Sequence, residues 1–122
     1  MLRWCWPLCA ALALAACDAA DQTTLKLHND PKAAQAVELA RKNGCLNCHG
    51  VTHSIVGPAW VLVSERYRDA PDARALLIEK VKKGGNGSWN HITGGAVMPA
   101  HENRVSQQHI ETLVDFILSL KR

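Results

Sequence analysis

Cys45-Leu46-Asn47-Cys48-His49 places two cysteines three positions apart, with a histidine directly after the second. This pattern is the signature of covalent haem attachment. Two thiols at this spacing can each bond to one vinyl group of the porphyrin, and the histidine then lies beneath the iron as an axial ligand. The sequence therefore predicts one haem c, bound covalently through Cys45 and Cys48, with His49 as a ligand of the iron.

Other interpretations of this motif have less support. A thioredoxin-like redox pair belongs in a strand-helix-strand unit, and no run of alternating β-branched residues precedes Cys45. A structural zinc site needs four ligands, usually two pairs of cysteine or histidine, and the sequence contains no second pair. A chance match is disfavoured by the export signal and by the downstream motifs described below.

The N-terminal residues have the pattern of an export signal. Arg3 gives a positive start, an apolar run extends from Trp6 to Leu14, and small residues follow up to Cys17. The apolar stretch is shorter than the ~20 residues that a membrane-spanning helix needs. We therefore expect residues 1–16 to be a signal peptide and the protein to be exported to the periplasm.

Leu14-Ala15-Ala16-Cys17 resembles the lipobox of bacterial lipoproteins, in which cleavage falls before the cysteine and its sulfur receives a diacylglyceryl group. Ordinary cleavage after Ala15 is the alternative, and it would leave a soluble periplasmic protein with an unpaired thiol. Asp18 resembles the signal that retains such lipoproteins at the inner membrane. We expect a lipid anchor on Cys17, a flexible tether over residues 17–29 and one folded domain over residues 30–122.

The cysteine count is consistent with these assignments. Cys5 and Cys9 leave with the signal peptide, Cys17 takes the lipid, and Cys45 and Cys48 take the haem. No cysteine remains for a disulfide, although the exported location would permit one.

Composition and charge fit one small soluble domain behind an N-terminal extension. The chain has 122 residues, of which 48% are apolar and 20% are charged. Its 14 basic residues nearly balance its 11 acidic ones, and the signal peptide removes only Arg3. This balance gives no reason to expect a nucleic-acid partner.

Helical patterns cover the domain, and no convincing strand appears, so the predicted fold class is all-α with about four helices. They are expected over Pro31 to about Gly44, with Asn29 or Asp30 as the N-cap, over Pro58 to about Tyr67, over Pro71 to Lys83, and from the N-cap Ser106 onward. The first has a face of small residues and the last has apolar residues at helical spacing, so we expect these two to pack on each other.

Two finer expectations concern exposed and buried apolar residues. In the third predicted helix, Leu76 is expected to face inward with Ala73 and Leu77. In the second, Leu62 lies off the expected inward stripe and is a candidate for an apolar docking patch.

Met98-Pro99 supplies the candidate for the second axial ligand. The only other methionine is Met1, inside the signal peptide, and a thioether on iron would complete the coordination sphere and raise the reduction potential. The alternative is that Met98 packs in the apolar core and does not bind the iron. His91 and His101 flank this loop and could displace the methionine, but we expect both to be solvent-exposed loop residues.

With these features the domain resembles the short bacterial class I monohaem cytochromes c of the c-551 type. The resemblance covers residues 30–122. It rests on five motifs that occur in the same order and at similar spacing: Gly44-Cys45-x-x-Cys48-His49, Gly57-Pro58-Ala59, Lys80-Val81-Lys82-Lys83-Gly84, Gly87-Ser88-Trp89 and Met98-Pro99.

The resemblance implies a helical fold wrapped around one haem, with His49 and Met98 as axial ligands. It also implies that the carbonyl of Pro58 accepts the outer N–H of His49, and that Trp89 donates its indole N–H to a haem propionate. Lys80 stands where related proteins often carry an arginine that serves the same propionate, and a lysine offers a point charge rather than a fork of donors.

The resemblance further implies an electron carrier and not an enzyme, because an iron with both axial positions filled has no place for a small-molecule substrate. Redox partner proteins are expected to dock transiently at the exposed haem edge near Cys45, Cys48 and the Met98 loop. Two alternatives stay open. One is a fixed electron-transfer subunit of a dehydrogenase complex, and the other is a haem enzyme or gas sensor with a labile sixth ligand.

Overall fold

The computed structural model describes residue 27 and residues 29–121. These residues form a short 3-10 turn over Cys45–Asn47 and five α-helices, which are α1 (Pro31–Lys42), α2 (Trp60–Tyr67), α3 (Ala73–Lys83), α4 (Asn90–Thr93) and α5 (Gln107–Ser119). Within these described residues no β-strand forms, and the predicted all-α class is confirmed. The fifth helix is the four-residue α4, which the sequence did not predict.

The first and last helices begin where their capping residues predict. The carboxylate of Asp30 accepts the backbone N–H of Lys32 at 2.9 Å, and Pro31 occupies the first helical position. The hydroxyl of Ser106 accepts the backbone N–H of His109 at 3.2 Å. Each cap satisfies a backbone donor that the first turn of a helix leaves without a partner.

The core forms where α5 meets three other helices. α5 packs against α1, α2 and α3, so it lies at the centre of the domain. The contact with α1 is made by a face of small buried residues, Ala33, Ala36 and Ala40. Short side chains let two helices approach closely, and the predicted packing of the terminal helices on each other is confirmed.

The two leucines singled out from the sequence have different positions. Leu76 faces inward as expected, since it lines the cavity described below together with Leu77, although the buried residues of α3 are Ala73, Leu77 and Ile78. The expectation for Leu62 is wrong. Leu62 is half-buried and packs against the core. α2 is buried around more of its circumference than one stripe, so Leu62 offers no exposed docking patch.

The predicted signal peptide, Cys17 and most of the predicted tether lie outside the described residues. Among the residues that are described, no helix combines the length and the hydropathy needed to cross a bilayer.

Candidate haem site

A deep cavity of about 530 Å³ opens beside α5 and contains the haem attachment motif in its wall. Its volume lies in the range of ~300–1,000 Å³ that is usual for cofactor and ligand sites. The helices supply an apolar lining, which consists mainly of Val63, Leu77, Val81, Leu113, Val114 and Ile117. An apolar interior of this size suits a large planar hydrophobic group.

The attachment motif is held in a tight turn at the mouth of this cavity. Gly44 has a φ of +76°, a left-handed conformation that ends the α1 region and starts the 3-10 turn. The backbone N–H of His49 then donates to the carbonyl of Cys45 at 3.0 Å. Cys45 and Cys48 are both free thiols, and both line the cavity together with His49. The turn therefore presents all three side chains to the same space.

The environment of Cys45 does not favour a thiolate. Burial raises the pKa of the Cys45 thiol, and this effect outweighs the lowering by a backbone hydrogen bond and by the nearby Arg104 guanidinium. Redox-active cysteine pairs have the opposite character, because their attacking thiol has a lowered pKa. The local electrostatics therefore argue against the thioredoxin-like interpretation of the motif.

The ring of His49 is fixed by a hydrogen bond to the backbone. Its Nδ1 lies 2.8 Å from the carbonyl oxygen of Pro58, the contact that the resemblance implies. A carbonyl oxygen can only accept, so Nδ1 carries the proton and the lone pair of Nε2 is left free to bind a metal. Such an outer hydrogen bond sets the tautomer and increases the basicity of the ligand.

Gly57 allows the His49 ring to lie directly against the backbone. A Cβ atom added at Gly57 would lie 2.6 Å from Cε1 of His49, which no real side chain tolerates. The N–H of Gly57 also donates to the carbonyl of Cys48 at 2.7 Å. The glycine of the Gly57-Pro58 motif is therefore required by close approach, a reason that the sequence alone did not reveal.

The Met98 loop is attached to the end of α3. Met98 and Gly85 exchange two backbone hydrogen bonds of 2.8 Å and 3.2 Å. Gly84 has a φ of +67°, and a Cβ there would lie 2.3 Å from the Met98 carbonyl oxygen, so only glycine fits. Met98 is half-buried and lines the same cavity as His49. The structure thus brings the two predicted ligand side chains to one site.

Trp89 and Lys80 line the cavity as well, and each has a protein partner. The guanidinium of Arg66 lies 4.7 Å from the centre of the Trp89 ring, a cation–π contact that no sequence signal indicated. The ammonium of Lys80 donates to the carbonyl of Gly84 at 3.1 Å. These contacts hold both side chains beside the cavity, where their predicted roles toward a propionate stay predictions.

The two histidines that flank the Met98 loop differ from each other. His91 is exposed, as expected, but the expectation that His101 is exposed is wrong. His101 is only 7% exposed and lines the cavity. Its backbone N–H bonds to the carbonyls of Val81 and Lys82, both at 3.2 Å, and this attachment to α3 turns the residue inward. The side chain of Arg104 contacts His101 and also lines the cavity. Nothing in the sequence singled out Arg104 as a residue of the site.

The residues present fit a covalently bound haem. Two thiols, an imidazole with a free Nε2 and a thioether share one apolar cavity. Within the described part of the chain, no group of three or more His, Cys, Asp or Glu side chains is placed to hold a metal ion by itself. The donor set therefore suits an iron that a porphyrin already coordinates, and it does not form a closed zinc site.

The chain is similar to several proteins of known name or structure. Cytochrome c-552 of Nitrosomonas europaea is 42% identical over 89 residues, which cover 72% of this chain and 82% of that protein. Cytochrome c-551 of Allochromatium vinosum is 39% identical over 90 residues, which cover 74% and 90%. The crystal structure of wild-type Nitrosomonas europaea cytochrome c552 aligns with a TM-score of 0.63 at 39% identity and covers 70% of this chain and 99% of that one.

The sequence profile of the family described as Cytochrome c matches residues 33–121, nearly the entire predicted domain. Members of this family attach one haem through a Cys-x-x-Cys-His motif, and Cys45, Cys48 and His49 provide it here. The chain therefore belongs to the cytochrome c family, as a monohaem electron carrier rather than an enzyme, and it holds its single haem c through Cys45 and Cys48.

Proposed function

We propose that this cytochrome is an exported protein, tethered by a lipid on Cys17 to the periplasmic face of the inner membrane. It carries single electrons between redox enzymes through a low-spin iron ligated by His49 and Met98. The observation that carries the proposal is that His49 and Met98 line one cavity together with the two attachment thiols. When bound, the haem supplies an iron that cycles between the ferrous and ferric states.

The protein's part in this chemistry is to hold its ligands still. Pro58 fixes the ring of His49 through the 2.8 Å hydrogen bond, and Gly85 fixes the backbone of Met98 through two more. Because neither ligand has to move, little reorganisation accompanies the transfer of an electron. With both axial positions filled, no position remains for a substrate. Trp89 and Lys80 are the proposed donors to the haem propionates, since both border the cavity.

The proposed docking surface is an apolar rim around the mouth of the cavity, formed by Ile55, Val56 and Val97. Ile55 is 50% exposed, and Val56 and Val97 border the cavity itself, so part of their exposed surface faces the cavity. Val97 precedes the proposed ligand Met98, so a partner that covers this rim comes close to the haem edge. Exposed large apolar residues beside a site mark interaction surfaces, and a small rim suits the transient contacts of redox proteins.

Val97→Glu is expected to slow electron transfer with physiological partners, because it places a charge in the apolar rim without touching an iron ligand. We expect about a tenfold lower second-order rate constant, the effect of losing one well-packed contact. The rate is measured by stopped-flow mixing of the holoprotein with solubilised membranes of the native host. Gln108→Glu, on the exposed face of α5 away from the cavity, is the matched control. Equal rates for the two variants would show that this apolar rim is not the docking surface.

Cys17→Ser is expected to release a haem-loaded protein into the soluble periplasmic fraction, because the sulfur that accepts the lipid is lost while residues 30–122 are unchanged. Fractionation followed by haem staining measures the distribution between membrane and soluble fractions. Cys9→Ser, which removes a thiol from the predicted signal peptide only, is the control and should stay on the membrane. Continued membrane attachment of Cys17→Ser would show that the tether is not a lipid on this residue.

A further inference from the structure

Arg104 is an exposed cation on the wall of the cavity, and the proposed electron transfer gives it no role. Within the part of the chain that the structure describes, no carboxylate forms an ion pair with its guanidinium. The nearby carboxylate of Glu102 pairs with Lys83 instead, at 3.1 Å. Arginine is enriched in protein interfaces. An exposed guanidinium without a counter-ion beside a redox site is therefore a candidate contact for a partner.

The buried ring of His101 holds this guanidinium in place. Nδ1 of His101 lies 3.1 Å from Nη2 of Arg104, and a guanidinium can only donate, so the imidazole accepts the hydrogen bond. The ring is itself held, because the backbone N–H of His101 donates to the carbonyls of Val81 and Lys82. The other N–H groups of the guanidinium make no hydrogen bond to the described residues. Arg104 thus has a fixed position and free donors.

The charges around the cavity are all positive and lie on different sides of it. No Asp or Glu side chain lines the described cavity, and its charged lining residues are Lys80 and Arg104. Lys80 is the proposed donor to a propionate, which compensates its charge. Arg104 lowers the pKa of the Cys45 thiol, so its charge lies near the attachment cysteines. The vinyl groups that bond to cysteines lie at the edge of a porphyrin opposite the propionates, so the charge of Arg104 stays uncompensated.

We propose that Arg104 is a docking anchor beside the attachment cysteines and binds a carboxylate on the surface of an acidic redox partner. The inference rests on the proposed electron transfer and adds the chemistry of the partner. A guanidinium with a fixed position matches a carboxylate through two parallel hydrogen bonds. The rim of Ile55, Val56 and Val97 offers contact area without charge. Arg104 therefore supplies the electrostatic attraction that orients the partner toward this edge of the haem.

The first test measures oxidation of the ferrous holoprotein by two small reagents of opposite charge, the anion hexacyanoferrate(III) and the cation tris(phenanthroline)cobalt(III). Arg104→Gln is expected to slow the reaction with the anion and to speed the reaction with the cation, each about two- to fivefold at low ionic strength. Opposite directions identify steering by charge, because a changed reduction potential would move both rates the same way. Arg104→Lys keeps the charge and should keep both rates.

The matched control is Arg68→Gln, which removes an exposed charge that does not line the cavity. It should change both rates far less than Arg104→Gln does. If the two variants gave the same rates, the charge of Arg104 would not lie where electrons leave the protein, and the proposal would be overturned.

The second test measures oxidation of the ferrous holoprotein by solubilised membranes of the native host. Arg104→Gln is expected to lower the second-order rate constant about tenfold at low salt, through the loss of one charged contact. Arg104→Lys should lie between this variant and the wild type, because an ammonium lacks the fork of donors. Sodium chloride should slow the wild type more than Arg104→Gln.

The outcomes separate this inference from the proposed function. If the wild-type ferrous protein binds carbon monoxide rapidly, or the membranes do not oxidise it, the proposed electron carriage and this inference fail together. If the membranes oxidise the wild type and Arg104→Gln equally fast, this inference alone fails. Faster oxidation of Arg104→Gln by the membranes would indicate a basic partner and would also overturn it.

Discussion

Met98→Ala is expected to abolish the near-infrared methionine-to-iron charge-transfer band completely and to let carbon monoxide bind rapidly to the ferrous protein. The chain contains no other methionine except Met1, inside the predicted signal peptide, so no second thioether can replace the lost ligand. Loss of the thioether also removes the ligand that raises the potential, and the reduction potential should fall. Absorption spectra of the ferric protein and carbon monoxide mixing with the ferrous protein measure these effects.

The matched control is Val97→Ala, one residue earlier in the same loop. It shortens an exposed side chain and leaves the thioether and the backbone hydrogen bonds of Met98 with Gly85 in place. The control should keep the band and bind carbon monoxide slowly. If Met98→Ala behaved like Val97→Ala, Met98 would be a core residue and not a ligand. Rapid carbon monoxide binding by the wild-type protein would instead favour a sensor or enzyme with a labile sixth ligand.

A chain with both Cys45→Ala and Cys48→Ala, produced without haem, is expected to have no stable fold at 25 °C. The apolar side chains of α2, α3 and α5 would then surround an empty cavity of about 530 Å³. Without the porphyrin these side chains face water instead of a buried interior, and each one that loses its burial costs about 1.5–3 kcal/mol, against the ~5–15 kcal/mol free energy of unfolding of a small domain. Burial of the porphyrin replaces this missing interior and acts as the staple that small domains need.

Far-ultraviolet circular dichroism during heating measures this effect. The expected result is the loss of most of the helical signal and no cooperative transition. Cys17→Ser also loses one thiol but keeps the haem, and it should melt cooperatively with native helix content. A cooperative unfolding transition in the haem-free chain would show that the packing of α1 on α5 is sufficient to hold the fold without the cofactor.

Features set by short stretches of sequence were predicted well. Asp30 and Ser106 begin their helices because a side chain two or three residues before a free N–H can cap it, a relation that the chain itself fixes. α4 was missed because it has only four residues between glycine-rich segments and too little length to show a helical period.

Features set by contacts between distant segments could not be predicted. His101 sits in a polar stretch typical of an exposed loop, yet its backbone bonds to Val81 and Lys82 turn it toward the cavity. Leu62 lies off the apolar stripe of α2, yet it packs against the core. The arginine over Trp89 comes from another helix, 23 positions earlier in the chain. Each of these positions depends on how two segments of the fold pack together. The spacing of residues within one helix or loop does not specify that packing.

The ligation of the iron is the central claim, and near-infrared magnetic circular dichroism of the wild-type ferric holoprotein tests it most directly. This measurement distinguishes histidine–methionine, bis-histidine and histidine–water coordination in one spectrum. Ligation by His49 and Met98 predicts the low-spin histidine–methionine signature. A bis-histidine signature, which would assign the sixth position to a residue such as His101, or a high-spin spectrum with water on the iron, would contradict it.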